Sequence, residues 1–336
     1  MSKVSICIPV YNRDELIKKA LESSMNQTYS DIEIVVCDNC STDRTKEVVL
    51  EYAKKDSRIK FFENEENIGA LRNFKKTIEL ATGDFVVLLG SDDWLSEDFI
   101  ESRMKGFKLF PDAAFISGPM TTNTIFDDNT YKKNIDYIYN SSKLSKEYVY
   151  KNFYKKFLIS YFCLFRKDDI LNNFATDFEN EMNWEIYKTG YGLDLINCLN
   201  ILKKYDYMYY IGSGVYNFGN PSDRESESIV NDNMNINEPI TKLIEDYIYV
   251  TYLFNEYYKS LELDYIAKEF VNYKFLQLMY ELLKSRILFH KNILVFINIM
   301  NVSKLSIFLT VLKMPFYIFY RLYRFNIRKK YGVERN

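Results

Sequence analysis

The 336-residue chain contains a single histidine, His290. That scarcity excludes most Ser-His-Asp, Cys-His and histidine–metal chemistries, so acid–base work must fall to Asp, Glu or Tyr. Cysteine is sparse and odd in number, at five, which argues against a disulfide framework. Cys37 and Cys40 have Cys-x-x-Cys spacing, but no second pair or nearby histidine completes a zinc site, and both read as packing residues. Met1-Ser2-Lys3 runs straight into a strand without a secretory leader, so reduced thiols in the cytoplasm are expected. Neither Gly-x-x-x-x-Gly-Lys-[Ser/Thr] nor Gly-x-Gly-x-x-Gly occurs, so no phosphate cradle made of backbone alone is expected. No uncharged run approaches the ~20 residues needed to span a bilayer.

Acidic residues are missing altogether from Leu282 to Val333, where Lys284, Arg286, Lys291, Lys304, Lys313, Arg321, Arg324, Arg328, Lys329 and Lys330 accumulate. With a formal charge of only −2 overall, the rest of the chain is acidic. An acidic body with a basic tail points to an anionic partner for the tail. Ile318, Leu322 and Phe325 share one helical face there, flanked by Arg321, Arg324 and Arg328. This is the pattern of a helix lying in a membrane interface with its cations near anionic headgroups. The same face could instead pack on the acidic body or on a second subunit. Tyrosine and phenylalanine are abundant, at 29 and 25, beside many Ile, Lys and Asn. All five have A/T-rich codons, so scattered rings carry no functional weight.

What is present begins with alternation. Val4–Val10, 32–36, 59–62, 85–89 and 113–116 read as strands, separated by helices over 14–25, from a cap at Ser41 or Thr42 to about 55, over 71–81 and over 98–109. Alternating strands and helices imply βαβ units and a mostly parallel sheet. Further on, 161–166, 207–211 and 215–218 read as strands and 194–204 as a helix. Residues 219–237 are polar and aperiodic, and the chain from 238 is helical.

The most telling stretch is Val86-Val87-Leu88-Leu89-Gly90-Ser91-Asp92-Asp93-Trp94. A doubly covered strand ends in two adjacent carboxylates, at the edge where open α/β sheets bind ligands. Paired acids repel unless a cation holds them, and a divalent metal bearing a diphosphate is the usual solution. The same acids could instead cap a helix starting near Trp94. Tyr11 and Asn12 after the first strand and Asp38 after the second would converge on that edge. A ring at Tyr11 could stack on a base and Asp38 could accept its N–H. Arg72, following Asn67-Ile68-Gly69, could reach a phosphate.

In this order the motifs resemble those of the family 2 glycosyltransferases with a GT-A fold, of bacterial surface-polysaccharide type. The matching pieces are Val4-Ser5-Ile6-Cys7-Ile8-Pro9-Val10-Tyr11-Asn12, Glu33 to Asp43, Asn67-Ile68-Gly69-Ala70-Leu71-Arg72-Asn73 and Leu88-Leu89-Gly90-Ser91-Asp92-Asp93. The resemblance is specific over residues 1–118 and looser to about 220. It implies nucleotide contacts at Pro9, Tyr11, Asn12, Asp38, Arg72 and Asp92, and a Mn²⁺ or Mg²⁺ ion on Asp92 and Asp93. Gly90 stands where the family's Asp-x-Asp motif usually has its first acid. A catalytic base is implied in the acceptor half, at Asp194 before a Tyr-rich strand pair, with Glu185 as runner-up. Arg224 falls where the family carries a mobile polar loop.

The expected organisation is a GT-A catalytic domain over 1–220, divided into a nucleotide-sugar half (1–118) and an acceptor half (119–220). A loop and helical extension (221–285) and a basic membrane-associating tail (286–336) follow. The expected protein is an inverting, metal-dependent sugar transferase, peripheral on the inner face of the membrane. It uses a UDP-sugar donor and a glycan or lipid-linked glycan acceptor. No nucleic-acid partner is expected, and oligomers could form through the C-terminal helices. The rival readings are a nucleotidyltransferase on a related sheet, for which Arg13 is the one basic residue near the first strand, and a non-catalytic nucleotide-sugar-binding scaffold.

Overall fold

The computed structural model describes residues 2–125, 131–136, 140–152, 160, 162–174 and 193–219, leaving aside the side chains of 122–125, 131–136, 193, 194 and 196. The chain divides into two units, Met1–Ile229 and Val230–Asn336, and every described residue belongs to the first. In chain order the elements begin β1 (Val4–Val10), α1 (Ile17–Met25), β2 (Ile32–Asp38), α2 (Thr45–Lys55), β3 (Ile59–Glu63), α3 (Ala70–Leu80) and β4 (Phe85–Leu88). Then come β5 (Trp94–Leu95), α4 (Phe99–Leu109), β6 (Ile116–Ser117), β7 (Met120–Ile125), β8 (Tyr131–Asp136), β9 (Ser142–Ser145) and α5 (Lys146–Asn152). The last are β10 (Phe165–Arg166), α6 (Lys167–Asn172), α7 (Leu193–Leu202), β11 (Tyr207–Tyr210) and β12 (Tyr216–Asn217).

Five strands form the central sheet in the order β10-β4-β1-β2-β3. β4, β1, β2 and β3 run parallel, and β10 closes the β4 edge antiparallel. Every residue of β1 and β2 is buried, as parallel strands covered on both faces require. α3 packs across β1 and β2, α2 lies on β3, and α1 lies against α2 and β5.

The polar members of these strands are satisfied in place. The Glu33 carboxylate accepts from Ser5 Oγ at 2.6 Å and Lys3 Nζ at 2.8 Å. It also accepts from the Thr82 N–H at 2.6 Å and the Thr82 hydroxyl at 2.8 Å. Burial alone would raise its pKa, but these hydrogen bonds win and hold it down to about 2.

The chain runs β1 to β2 to β3 in one direction, then places β4 on the other side of β1. That reversal is a topological switch point, and the carboxyl ends of β1, β2 and β4 open onto one crevice. Beside this sheet lie a three-stranded sheet, β6-β11-β9, and a four-stranded one, β5-β12-β7-β8.

Three details differ from the sequence reading. No helix starts at Trp94. Residues Trp94–Leu95 pair antiparallel with β12, and the helix begins at Phe99. The strand expected at 113–116 does not join the central sheet, because β10 already occupies that edge of β4. β6 pairs instead with β11. The strand expected over 161–166 reduces to the two residues of β10.

Candidate active site

Register brings the candidate residues together. Val10 faces Asp38 across the β1–β2 pair, and the Asn39 N–H continues the ladder to the Val10 carbonyl at 2.8 Å. Cys7 faces Leu88 across β1–β4, and the Leu89 N–H reaches the Cys7 carbonyl at 2.9 Å. Tyr11, Asp38 and the segment after Leu89 therefore sit side by side at one sheet edge. β2 and β4 are two strand spacings apart, roughly 10 Å, a span suited to a nucleoside carrying a diphosphate.

Asp38 ends β2 fully buried. Its Oδ1 accepts from both the hydroxyl and the N–H of Ser41, while Oδ2 is buried without a hydrogen-bond partner among the described residues. Burial pushes its pKa up, and the bonds from Ser41 oppose that only partly. A buried carboxylate oxygen in this state fits an incoming N–H donor.

The loop around it is stitched to the one after β1. Asn12 adopts a positive φ of 50°. Its Oδ1 accepts the Thr42 N–H at 2.8 Å, and its own N–H donates to Ser41 Oγ at 2.9 Å. Asn12 thus braces the Asp38 loop, which sequence reading alone did not indicate. Pro9 is buried within β1, opposite Cys37.

A network of amides, buried at Asn39, Asn64 and Asn73 and exposed at Asn67, backs the neighbouring wall. Asn64 Nδ2 donates to Asn39 Oδ1 and to Asn73 Oδ1, each at 2.9 Å. Asn73 Nδ2 reaches the Cys37 carbonyl at 2.9 Å, and Asn39 Nδ2 reaches Asn67 Oδ1 at 2.7 Å. This fixes the turn before α3, on whose first turn Arg72 lies exposed.

After β4, Gly90-Ser91-Asp92-Asp93 form a β-turn closed by the Asp93 N–H and the Gly90 carbonyl at 3.0 Å. Asp92 stands half-buried at its corner, whereas Asp93 is buried. Asp93 Oδ2 accepts from the Tyr216 hydroxyl at 2.7 Å and Oδ1 accepts from the Gly219 N–H at 2.8 Å. The Tyr216 oxygen in turn accepts the Gly90 N–H at 3.0 Å. Tyr216 is fully enclosed, and burial together with the Asp93 carboxylate holds its hydroxyl pKa well above the usual tyrosine value.

Gly90 also accounts for the missing first acid of the motif. A Cβ there would lie 2.6 Å from Asp93 Oδ2 and 3.0 Å from Asp92 Oδ1. The Asp93 carboxylate occupies the space a side chain would need.

Among the described residues, no group of three or more His, Cys, Asp or Glu side chains is arranged to hold a metal alone. The donor set instead fits a shared ion. Mg²⁺ and Mn²⁺ take one or two carboxylates and complete their shells with phosphate oxygens and water. Asp92 supplies such a carboxylate, while both Asp93 oxygens already accept protein donors.

Asp194 is the second residue of α7, and its side chain lies outside the described residues, as do Glu185, Arg224 and the whole of 286–336. Tyr216 and Gly219 were missed by the sequence reading. The run 215–218 signalled only a strand, and nothing in it pointed to a carboxylate 123 residues upstream.

Residues 5–173, half of the chain, match the family model "Glycosyl transferase family 2". The chain belongs to that family, and its α/β architecture is of the GT-A type. It is 39% identical over 106 residues to the GalNAc(5)-diNAcBac-PP-undecaprenol beta-1,3-glucosyltransferase of Campylobacter jejuni, covering 31% of this chain and 34% of that protein. It is 41% identical over 98 residues to the abequosyltransferase RfbV of Salmonella typhimurium, covering 28% of this chain and 29% of that one. The chain thus spans about a third of these curated relatives. Among solved structures, residues 1–349 of Staphylococcus aureus TarS in complex with UDP-GlcNAc superimpose with a TM-score of 0.63 at 17% identity, over 89% of this chain and 80% of that one.

Proposed function

We propose that the protein transfers a sugar from a nucleoside-diphosphate sugar to a hydroxyl of a surface-glycan acceptor, inverting the anomeric centre. The observation that carries this reading is Asp38 Oδ2, a buried oxygen one strand from the switch point of the sheet and unpartnered among the described residues. An imide N–H of a uracil-like base supplies the donor it lacks, with the Tyr11 ring as the stacking surface. Arg72, on the first turn of α3, is assigned to a phosphate. A UDP-sugar is the assigned donor, in keeping with a fold neighbour crystallised with UDP-GlcNAc.

Asp92 would hold a Mn²⁺ or Mg²⁺ ion, which when bound neutralises the charge that builds on the departing diphosphate. Asp194 is assigned as the base, with Glu185 next in line should Asp194→Asn retain transfer. The acceptor oxygen bonds to the anomeric carbon as the bond from that carbon to the diphosphate oxygen breaks. The acceptor proton passes to the carboxylate, and the nucleoside diphosphate leaves with the bonding pair. Membership of a glycosyltransferase family favours sugar transfer over nucleotide transfer. A lipid-linked acceptor is consistent with the undecaprenol-linked substrate in the name of the Campylobacter relative. The basic tail would then hold the enzyme at an anionic membrane.

The test is a panel of nucleoside diphosphates titrated calorimetrically with and without MnCl₂, followed by donor hydrolysis. UDP should bind with metal dependence. Asp92→Asn should lower turnover by roughly 10³-fold, the equivalent of several kcal/mol of lost charge stabilisation. Full turnover in excess chelator would overturn the metal assignment, and indifference to every nucleotide would overturn the function.

A further inference from the structure

We infer that Tyr216 is a positioning residue for the metal-binding turn, acting through Asp93 as an anchor rather than as a ligand. The inference rests on the proposed role of Asp92 and extends it. Both oxygens of Asp93 accept from one short segment, the Tyr216 hydroxyl at 2.7 Å and the Gly219 N–H at 2.8 Å. The Tyr216 oxygen also takes the Gly90 N–H, so one phenol touches both ends of the four-residue turn with Asp92 at its corner. Gly219 also approaches the backbone of Asp92 closely, since a Cβ on it would lie 2.1 Å from the Asp92 carbonyl oxygen. The turn is therefore held at residues 90 and 93, on either side of Asp92, by residues 216 and 219.

The holding segment is itself fixed. The fully buried Arg103 donates through Nη1 to the Ser213 and Gly214 carbonyls at 2.6 and 2.7 Å. Ser96 Oγ accepts the Val215 N–H at 2.7 Å, and the Ser96 N–H returns to the Val215 carbonyl at 2.9 Å. Tyr216 then enters β12, paired with β5 on one side and β7 on the other. A residue held from this many directions cannot follow the turn if the turn moves. The turn must conform to it. A ligand whose carboxylate is placed by such partners binds a cation with less reorganisation, and removing comparable supporting groups typically lowers metal affinity about 10- to 100-fold.

The test measures Mn²⁺ affinity of the full-length, UDP-saturated protein by calorimetry, with metal-free UDP affinity and the melting temperature recorded beside it. Tyr216→Phe should weaken Mn²⁺ binding about 10-fold or more while leaving metal-free UDP binding within about twofold. Asp93→Asn should show the same split, and the double variant should be no worse than the weaker single one, as for two groups acting in series. Wild-type Mn²⁺ affinity in Tyr216→Phe, beside loss in Asp92→Asn, overturns the positioning role and leaves the proposed function standing. Wild-type affinity in Asp92→Asn as well overturns the metal assignment itself. Additive losses in the double variant assign Tyr216 to general stability and overturn the inference. Should Tyr216→Phe fail to fold, wild-type Mn²⁺ affinity in Asp93→Asn overturns it alone.

Discussion

Asp38 is buried at the end of β2 with one oxygen engaged by Ser41 and the other unpartnered among the described residues. Burial penalises its ionised form, so its pKa lies above the ordinary carboxylate range. In the free protein this group therefore favours folding at low pH and withdraws that contribution as pH rises towards the raised value. A bound imide N–H reverses the preference, because it needs the carboxylate as acceptor. At pH values near or below the raised pKa nucleotide binding should release a proton, and UDP affinity should fall as pH is lowered through it. Calorimetry in buffers of differing ionisation heat checks both, and a pH-independent affinity would remove Asp38 from the base contact. Asp38→Asn should weaken UDP by about 10- to 100-fold, the worth of one hydrogen bond to a charged group. The positions of Asp38 and Asp92 beyond buried strands could be read from the sequence because each follows an apolar run. The anchoring of Asp93 could not, since its two partners lie 123 and 126 residues away.

At the level of elements, β1 and β2 are joined at the opposite end of the sheet by Glu33 and its donors Ser5, Lys3 and Thr82. The Glu33 pKa is lowered from 4.5 to about 2. Its stabilising contribution is complete above the unfolded value and is lost as pH falls from there towards the folded one. The difference corresponds to about 3 kcal/mol as an order of magnitude. Glu33→Gln should therefore lower the melting temperature at pH 7 and flatten its fall below pH about 4.5, as followed by circular dichroism. If the variant melts and titrates like the parent, the four hydrogen bonds contribute nothing net. The strands of this sheet were legible because continuous apolar runs leave few alternatives. Element ends were less so. α1 starts at Ile17 rather than Asp14, and α2 at Thr45 rather than after a cap at Ser41 or Thr42, because the intervening residues stitch two loops together. The Asp14 N–H donates to Asp43 Oδ2 and the Thr42 N–H to Asn12 Oδ1. Such loop-to-loop bonds leave no periodic trace. The Trp94–Leu95 pairing was hidden likewise, since two residues cannot show a period and their partner is β12.

For the whole molecule, charge points to an anionic partner. Among the described residues no helix is long and apolar enough to cross a membrane. The run from Leu282 to Val333 carries basic residues and no acid. Each such residue near an anionic surface contributes about 1 kcal/mol, screened over roughly 8–10 Å at physiological salt. Deleting 304–336 should release the protein from anionic liposomes in a flotation assay while sparing hydrolysis of the soluble donor. A full-length chain that ignores such liposomes at low salt would assign the tail to packing or assembly instead. The clasp on the Gly90–Asp93 turn has a different consequence, one of timing. Translation delivers β1 to β4 and the turn itself more than 120 residues before Tyr216 and Gly219, the separations being 126 for Gly90 to Tyr216 and for Asp93 to Gly219. Contacts this distant in sequence form late, after the local βαβ units have condensed. A nascent chain can thus pair β1 to β4 with Asp92 still unset, and the turn acquires its final shape only when the segment through residue 219 has docked. On the proposed role of Asp92, competence for metal would in this way be a checkpoint on synthesis, reached by a finished domain and withheld from a truncated one.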